Sequence, residues 1–184
     1  MRPLERAWYA RDAPVIAPEL LNKLIVSKID GDTVVGRITE VEAYTQDDPA
    51  SHTHPGPTAR NAAMFGPPGH LYVYLSYGIH HCLNVVTAPE GDGQAVLIRA
   101  LQPVEGVDVM ARRRGRRPDR ELANGPGKVG QALGVDLDRY GTDLTARSSV
   151  VWIGDDGTAP PVSPRVGPRI GISKAIDTPW RFRP

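Results

Sequence analysis

The sequence is poor in cysteine and contains no long apolar run. Its 184 residues include a single cysteine, Cys82, which excludes an internal disulfide framework and is typical of a reducing compartment. No stretch approaches the roughly 18 continuous apolar residues of a membrane span, and the N-terminal residues lack the apolar centre of a signal peptide. These absences predict a cytoplasmic protein with no membrane partner.

The sequence also lacks a marked excess of charge of either sign. Lysine and arginine number 22 against 21 acidic residues, so the net charge is only +1, below the strongly basic balance of many nucleic-acid-binding domains. Six arginines nonetheless crowd residues 112–120 and could neutralise several phosphates. A solvated arginine-rich loop explains that segment equally well.

Motifs for metals, nucleotides and thiol chemistry are missing as well. The five histidines do not follow a zinc-binding spacing, and no cysteine cluster accompanies them. The glycines beside Lys128 lack the spacing of a P-loop or a dinucleotide fingerprint, although Lys128 near a predicted helix start could bind a DNA phosphate. Cys82 lies in an apolar run, which argues against a catalytic thiol. We therefore expect no metal and no cofactor.

Short elements joined by turns and long loops are expected from the 19 glycines and 18 prolines. Helices are predicted over residues 17–21, 104–114, 118–123 and 126–133. Strands are predicted over residues 24–29, 33–44, 70–76, 79–87, 95–101, 150–153 and 169–172. Residues 45–68 are longer than an ordinary connection and are interpreted as a functional loop. The pattern indicates one α+β domain over residues 1–184, with a curved, open barrel-like antiparallel sheet, short flanking helices and a protruding β-hairpin.

Acidic and aromatic residues alternate along the predicted second strand. A period of two places Ile38, Glu40, Glu42 and Tyr44 on one face. Two carboxylates and a phenol then share one surface. A solvent-facing amphipathic strand gives the same pattern.

The next two predicted strands form a tyrosine-rich hairpin centred on Gly78. Symmetric closure places on one face the side chains of Tyr72, Tyr74, Ser76, His80, Cys82 and Asn84. Aromatic rings with an amide suit a purine, whose faces stack and whose edge is read by polar groups. Tyr77 at the turn, followed by Ile79, could wedge between base steps, although a tyrosine packed in the core explains this position too.

Taken in order, these motifs resemble the methylpurine-DNA glycosylase family, the 3-methyladenine DNA glycosylases of the alkyladenine type. The similar runs extend from about Ala13 to near the C-terminus. They are Val41-Glu42-Ala43-Tyr44 with His52, Met64-Phe65, Leu71-Tyr72-Val73-Tyr74 with Tyr77-Gly78, Asn84, Gly91-Asp92-Gly93, Val96-Leu97-Ile98-Arg99-Ala100-Leu101, Asp119-Arg120-Glu121-Leu122, Gly125-Pro126-Gly127-Lys128 and Arg165-Val166-Gly167.

The resemblance implies a monomeric bacterial base-excision repair enzyme, associated with the nucleoid, whose partner is double-stranded DNA containing damaged purines. Such an enzyme flips 3-methyladenine, 7-methylpurines, hypoxanthine or ethenoadenine out of the duplex and hydrolyses the glycosidic bond, leaving an abasic site. The implied site residues are Glu42 and Arg99 for catalysis, Tyr44, His52, Tyr74 and Asn84 for the base pocket, Tyr77 and Ile79 for intercalation, and Lys128 and Arg120 for phosphate contacts.

Two other functions fit the same residues. A non-catalytic nucleic-acid-binding domain, like the C-terminal domain of formyltransferases, would not need Glu42. A hydrolase of free nucleosides would use Glu42 but would be indifferent to Tyr77. No lysine adjoins Glu42 in the sequence, which argues against Schiff-base lyase chemistry. His80 and His81 depart from the mammalian proteins, which carry aromatic residues beside the wedge.

Overall fold

The computed structural model describes all 184 residues and confirms the predicted α+β class with a curled antiparallel sheet. Its helices are α1 (Arg6–Tyr9), α2 (Ala13–Leu20), α3 (Val107–Arg113) and α4 (Pro126–Leu133). Its strands are β1 (Leu24–Ile29), β2 (Asp32–Tyr44), β3 (Leu71–Ser76), β4 (His80–Thr87), β5 (Gln94–Glu105), β6 (Val151–Gly154), β7 (Arg165–Gly167) and β8 (Arg181–Arg183). No helix has the length and apolar character needed to cross a membrane.

The sheet is a half-barrel organised around the long strand β2. Its strand order is β3-β4-β5-β2-β1-β6, and the β7–β8 pair joins it at β2. On one side β2 pairs with β5, and on the other its first half pairs with β1 and its second half with β8. Strand β2 is therefore flanked on both sides along most of its length, which fixes the direction of its side chains.

A bulge in β2 corrects the predicted facing of one residue. The register with β5 shifts between Ile38 and Glu40, so Thr39 is unpaired there. One extra residue reverses the alternation at that point, and Ile38 packs in the main core with Val41 and Ala43. The prediction that Ile38 shares a face with Glu42 is therefore wrong.

Several predicted boundaries also move. Helix α2 begins at Ala13, so Pro18 lies inside the helix rather than in its first turn. Strand β5 continues to Glu105 and is followed by Gly106 with φ +69°, which delays α3 to Val107. The predicted helix over residues 118–123 is only a 3-10 turn, Asp119–Glu121. The predicted strand over residues 169–172 is absent, and the Ile170 amide donates to the Glu42 carboxylate instead of to a neighbouring strand.

The two faces of the sheet differ in what packs against them. Residues alternating along the β3–β4 hairpin enter a 31-residue apolar core together with side chains from α2 and α4; they include Leu71, Val73, Leu83 and Val85. The intervening residues face the opposite way, where a four-residue cluster of Met64, Tyr72, Val86 and Ala95 forms. Stability thus comes mainly from one face, and the other face is left for a site.

Helix α4 lies unusually close to β4. An added Cβ at Gly130 would overlap the backbone oxygen of His81, and one at Gly127 would lie 2.7 Å from the Cβ of His80. Glycine at these positions allows the helix to touch the strand backbone. This contact ties the start of α4 to the hairpin that carries the aromatic residues.

We expect Gly130→Ala to lower the free energy of unfolding by about 1–3 kcal/mol, because the strand must shift to admit the methyl group. Helix propensity alone predicts the opposite sign, a gain of about 1 kcal/mol. Urea denaturation decides between the two. The control is Gly125→Ala at the extended residue just before the same helix, where the nearest atom to an added Cβ is Lys128 Cδ at 3.7 Å. Equal stability of both variants would contradict the close packing.

Candidate active site

A cavity of about 580 Å³ opens on the second face of the sheet. It lies between the β3–β4 hairpin, the loop over residues 45–69 and the segment over residues 170–174. The hairpin pairs Tyr72 with Asn84 and Tyr74 with Cys82, which confirms the predicted register about Gly78. The volume of the cavity lies within the range of small-molecule sites, so the cavity can hold a purine.

Uncharged aromatic side chains form one wall of the cavity. The rings of Tyr72 and Tyr74 stack with centroids 5.7 Å apart, and His52 meets the Tyr74 ring edge-on at 4.6 Å. His52 Nδ1 lies 2.8 Å from the Tyr72 hydroxyl. Burial, and secondarily the charge of Arg60, lowers the pKa of His52, while burial raises the pKa of Tyr72 to about 12. The wall is therefore neutral at physiological pH.

The carboxylate of Glu42 lies directly behind the cavity and is 0 % exposed. Its Oε2 accepts a hydrogen bond from the Tyr44 hydroxyl at 2.8 Å and lies 3.2 Å from Arg99 Nη1. Its Oε1 accepts a hydrogen bond from the Ile170 amide at 2.8 Å. All three contacts are donors, which suits an ionised carboxylate. Tyr44, Arg99 and Ile170 themselves line the cavity.

The phenol of Tyr44 is held as a hydrogen-bond donor toward Glu42. Burial is the main reason that the pKa of Tyr44 is raised, and the neighbouring carboxylate of Glu42 adds to the effect. On the other side of Glu42, Arg99 Nε lies 3.6 Å from Glu40, which also binds Arg181 at 2.9 Å. Arg99 is thus positioned between two carboxylates, one of them at the cavity.

Arg169 is a site residue that the sequence did not reveal. It is fully buried, forms a two-pronged ion pair with Asp48 and donates to the Ala43 carbonyl at 2.9 Å. Its guanidinium lies 4.6 Å from the centroid of the Tyr44 ring and 5.4 Å from that of Trp180. Because Asp48 is 121 residues away in sequence, no local pattern could pair them. The ion pair anchors the segment that was predicted as a strand. The next residue, Ile170, then lies close enough to Glu42 for its amide to donate to the carboxylate.

The hairpin tip exposes two apolar side chains. Tyr77 is 88 % exposed and Ile79 is 71 % exposed, which excludes the alternative that Tyr77 packs in the core. Tyr77 has φ +50° and Gly78 has φ +72°, and the Ile79 amide donates to the Ser76 carbonyl. A tyrosine in the left-handed region costs about 1–2 kcal/mol. The tip is therefore strained and exposed at the mouth of the cavity.

The remaining candidates lie outside the cavity. Lys128 donates to Asn124 at 2.7 Å, and Arg120 is largely exposed, 3.9 Å from Glu121. Of the arginines over residues 112–120, half are held by Asp32, backbone carbonyls and Gln131, namely Arg112, Arg113 and Arg114. No group of three metal-ligating side chains is present.

Two cations at the cavity rim were also missed by the sequence analysis. Arg60 and Lys174 both line the cavity, and Arg60 lies 5.7 Å from the centroid of the Tyr74 ring. Lys174 is the lysine nearest to the site, although it is distant from Glu42 in sequence. Their loops contain few periodic residues, so no sequence signal placed them there.

Comparisons with known proteins agree along almost the whole chain. A family model described as methylpurine-DNA glycosylase matches residues 7–184. A protein of Carboxydothermus hydrogenoformans is 46% identical over 179 residues, which is 97% of this chain and 93% of the relative. One of Burkholderia lata is 49% identical over 181 residues (97% and 86%), and one of Methanoculleus marisnigri is 48% identical over 182 residues (97% and 93%). Each of the three is named as a proposed 3-methyladenine DNA glycosylase.

We expect Asp48→Asn to lower the free energy of unfolding by about 3–5 kcal/mol, because the Arg169 charge would remain buried without a carboxylate. Asp47→Asn, an exposed neighbour in the same loop, should cost less than about 0.5 kcal/mol. Thermal and urea unfolding measure both. If the two variants lost equally little, the buried ion pair would not be holding the cavity wall.

Proposed function

The chain belongs to the methylpurine-DNA glycosylase family and is a DNA glycosylase, and we propose that it flips a damaged purine into the aromatic cavity. It then hydrolyses the N-glycosidic bond of this purine with a water activated by Glu42. The proposed substrates are 3-methyladenine, 7-methylpurines, hypoxanthine and ethenoadenine in duplex DNA, and the proposed active form is a monomer. The observation that carries the proposal is the Glu42 carboxylate immediately behind the aromatic cavity, bonded to Tyr44 and facing Arg99.

Base extrusion is assigned to the hairpin tip. The exposed side chains of Tyr77 and Ile79 would enter the stack and fill the space that the flipped nucleotide leaves. Damaged or mismatched bases cost less to extrude, so this step already favours lesions. Phosphate contacts by Lys128 and Arg120 would support binding without reading sequence.

Base recognition is assigned to the neutral wall and to Asn84. The rings of Tyr44, His52 and Tyr74 would contact the flipped purine, and aromatic faces attract the positive charge of 3-methyladenine. The Asn84 amide nitrogen donates to the Tyr72 carbonyl at 3.2 Å, which fixes the side chain. In that position it would collide with the exocyclic amine of guanine, so normal guanine would be rejected.

The chemical step needs one carboxylate. As the C1′–N bond breaks, the purine takes its electron pair, the sugar becomes oxocarbenium-like, and a water oxygen bonds to C1′ while Glu42 accepts its proton. Oε1 of Glu42 accepts only from the Ile170 amide and retains a lone pair for this proton. A cationic alkylpurine leaves as a neutral base and needs no proton, whereas hypoxanthine or ethenoadenine leaves with a negative charge and takes its proton from water. The side-chain contacts of Glu42 are Tyr44, Arg99 and Ile170, and none is a lysine, so we propose no Schiff-base step.

The direct test is release of 3-methyladenine and hypoxanthine from duplex DNA by the wild-type protein and by Glu42→Gln. We expect wild-type release with strand breaks only after alkali, and a loss of about 10²–10⁴-fold in rate for Glu42→Gln with damaged-DNA affinity kept. The control is Glu105→Gln, an exposed glutamate at the end of the neighbouring strand β5, which should retain the rate.

Four results would contradict the proposal in different ways. Wild-type rates for Glu42→Gln would assign the base elsewhere. Strand breaks before alkali would indicate lyase chemistry, and no release by the wild type would favour a binding module. Release from free nucleosides, unaffected by Tyr77→Asn, would favour a nucleoside hydrolase.

We expect Tyr77→Asn to separate stability from function. Asparagine tolerates the left-handed conformation of this turn, so the free energy of unfolding should stay equal or rise by about 1 kcal/mol. Base release should nonetheless fall by about tenfold or more, because the wedge is gone. Val162→Asn, at another exposed apolar position, should leave release unchanged. A destabilised Tyr77→Asn protein with normal release would contradict the assignment.

A further inference from the structure

A second cavity of about 480 Å³ adjoins the base cavity. The two share lining residues from the loop over residues 45–69 and from Lys174, so they are neighbours along one surface; the shared set includes Pro49, Ser51, His52 and Arg60. We call the part formed by His54, Thr58, Arg60 and Lys174 the cationic annex. The residues that line this second cavity are polar, charged or proline, in contrast to the aromatic wall beside it, although their carbon atoms form most of its exposed surface.

No acidic side chain lines either cavity. The other arginines of the site have carboxylate neighbours: Arg99 lies near Glu40 and Glu42, and Arg169 binds Asp48. Arg60 and Lys174 take part in none of the ion pairs or hydrogen bonds of the structure, and both are exposed. Two unpaired cations beside a pocket without acids create a positive potential that suits an anion.

Arg60 nevertheless lies beside an aromatic ring, and the residue that follows it is anchored. Its guanidinium lies over the Tyr74 ring at 5.7 Å, and the neighbouring Asn61 is buried, with its amide donating to the carbonyls of His52 and Gly56. The charge of Arg60 reaches the site, since after burial it is the second cause that lowers the pKa of His52. The N–H donors of this exposed guanidinium have no partner in the protein, so they remain available to an oxyanion at the rim.

We propose that the cationic annex binds a backbone phosphate of the lesion-bearing strand next to the flipped nucleotide. Phosphates flanking that nucleotide are joined to its sugar, so they must pass close to the mouth of the base cavity, which the annex adjoins. The Thr58 hydroxyl and the His54 ring can add neutral hydrogen bonds to the charges of Arg60 and Lys174. This proposal rests on the proposed function, since it assumes that a nucleotide enters the base cavity.

The annex also gives a role to the aromatic contact of Arg60. A phosphate bound to Arg60 would neutralise a positive charge beside Tyr74 and so remove a repulsion toward a cationic alkylpurine in the cavity. A free base has no phosphate and would still meet that charge. Strand and base binding are thereby coupled through one arginine.

The test is equilibrium binding of short duplexes that contain a tetrahydrofuran abasic nucleotide, in the Glu42→Gln background so that no chemistry intervenes. One duplex carries normal phosphates, and the other has neutral methylphosphonates on both sides of the abasic nucleotide. The affinities of the parent protein and of its Arg60→Met and Arg60→Lys variants are compared over a range of salt concentrations. Arg2→Met is the control, because Arg2 is exposed and its neighbour Pro3 bridges to β6 at the opposite sheet edge.

We expect Arg60→Met to weaken binding of the normal duplex about tenfold and to reduce the slope of log affinity against log salt by about 0.9. The methylphosphonates should weaken binding by the parent protein, but they should not weaken binding by the Arg60→Met variant any further. The Arg60→Lys variant should recover part of the affinity that Arg60→Met loses. Arg2→Met should bind like the parent.

Additive losses from Arg60→Met and the methylphosphonates would overturn the proposal, because Arg60 would then act only through Tyr74. Inorganic phosphate that binds the parent protein without competing with the duplex would indicate a separate site for free phosphate and would overturn the assignment to the strand. Because the experiment measures binding, its result does not depend on the role of Glu42. Wild-type base release together with additive effects of Arg60→Met and the methylphosphonates would overturn only the proposal for the annex.

Discussion

The site depends on holding one carboxylate in the protein interior. An ionised carboxylate is costly to bury unless donors surround it, and Glu42 receives them from three parts of the chain: β2 itself, β5 and the segment before β8. Strand β2 must therefore be paired on both sides, and the bulge near Thr39 must occur before Glu40. The Arg169–Asp48 ion pair then fixes the third donor. Removing any of these supports would leave charge unpaired next to the cavity.

Several features of the site are unexplained by stability and agree with a nucleic-acid ligand. Tyr77 is exposed and in a strained conformation, Arg60 and Lys174 have no acidic partner, and the cavity is lined by neutral rings. Local rules for folding are commonly broken where function requires it. The main core lies on the opposite face of the sheet. The face with the cavity can therefore contain a strained turn and unpaired cations without unfolding the domain.

The sequence predicted what local patterns determine. Alternation and a Tyr77-Gly78 turn define the hairpin register, and proline with glycine marks both ends of α4, so these elements were correct. The bulge at Thr39 has no signature in one sequence, and it reversed the facing of Ile38. Arg169 was missed because its partner is far away in the chain. The placement of Arg60 and Lys174 depends on how two irregular loops close over the sheet, which periodicity does not describe.

The central claim is that the Glu42 carboxylate acts at C1′ of a flipped nucleotide, where it takes the proton of the attacking water while positive charge develops on the sugar. The most direct measurement compares affinities for two duplexes, one with a cationic pyrrolidine abasic analogue and one with its neutral tetrahydrofuran counterpart, because a transition-state-like charge should be bound more tightly. The account predicts that the wild-type protein binds the cationic duplex at least about 100-fold more tightly and that Glu42→Gln removes most of this preference. Equal affinities in the wild type, or an unchanged preference in Glu42→Gln, would contradict it.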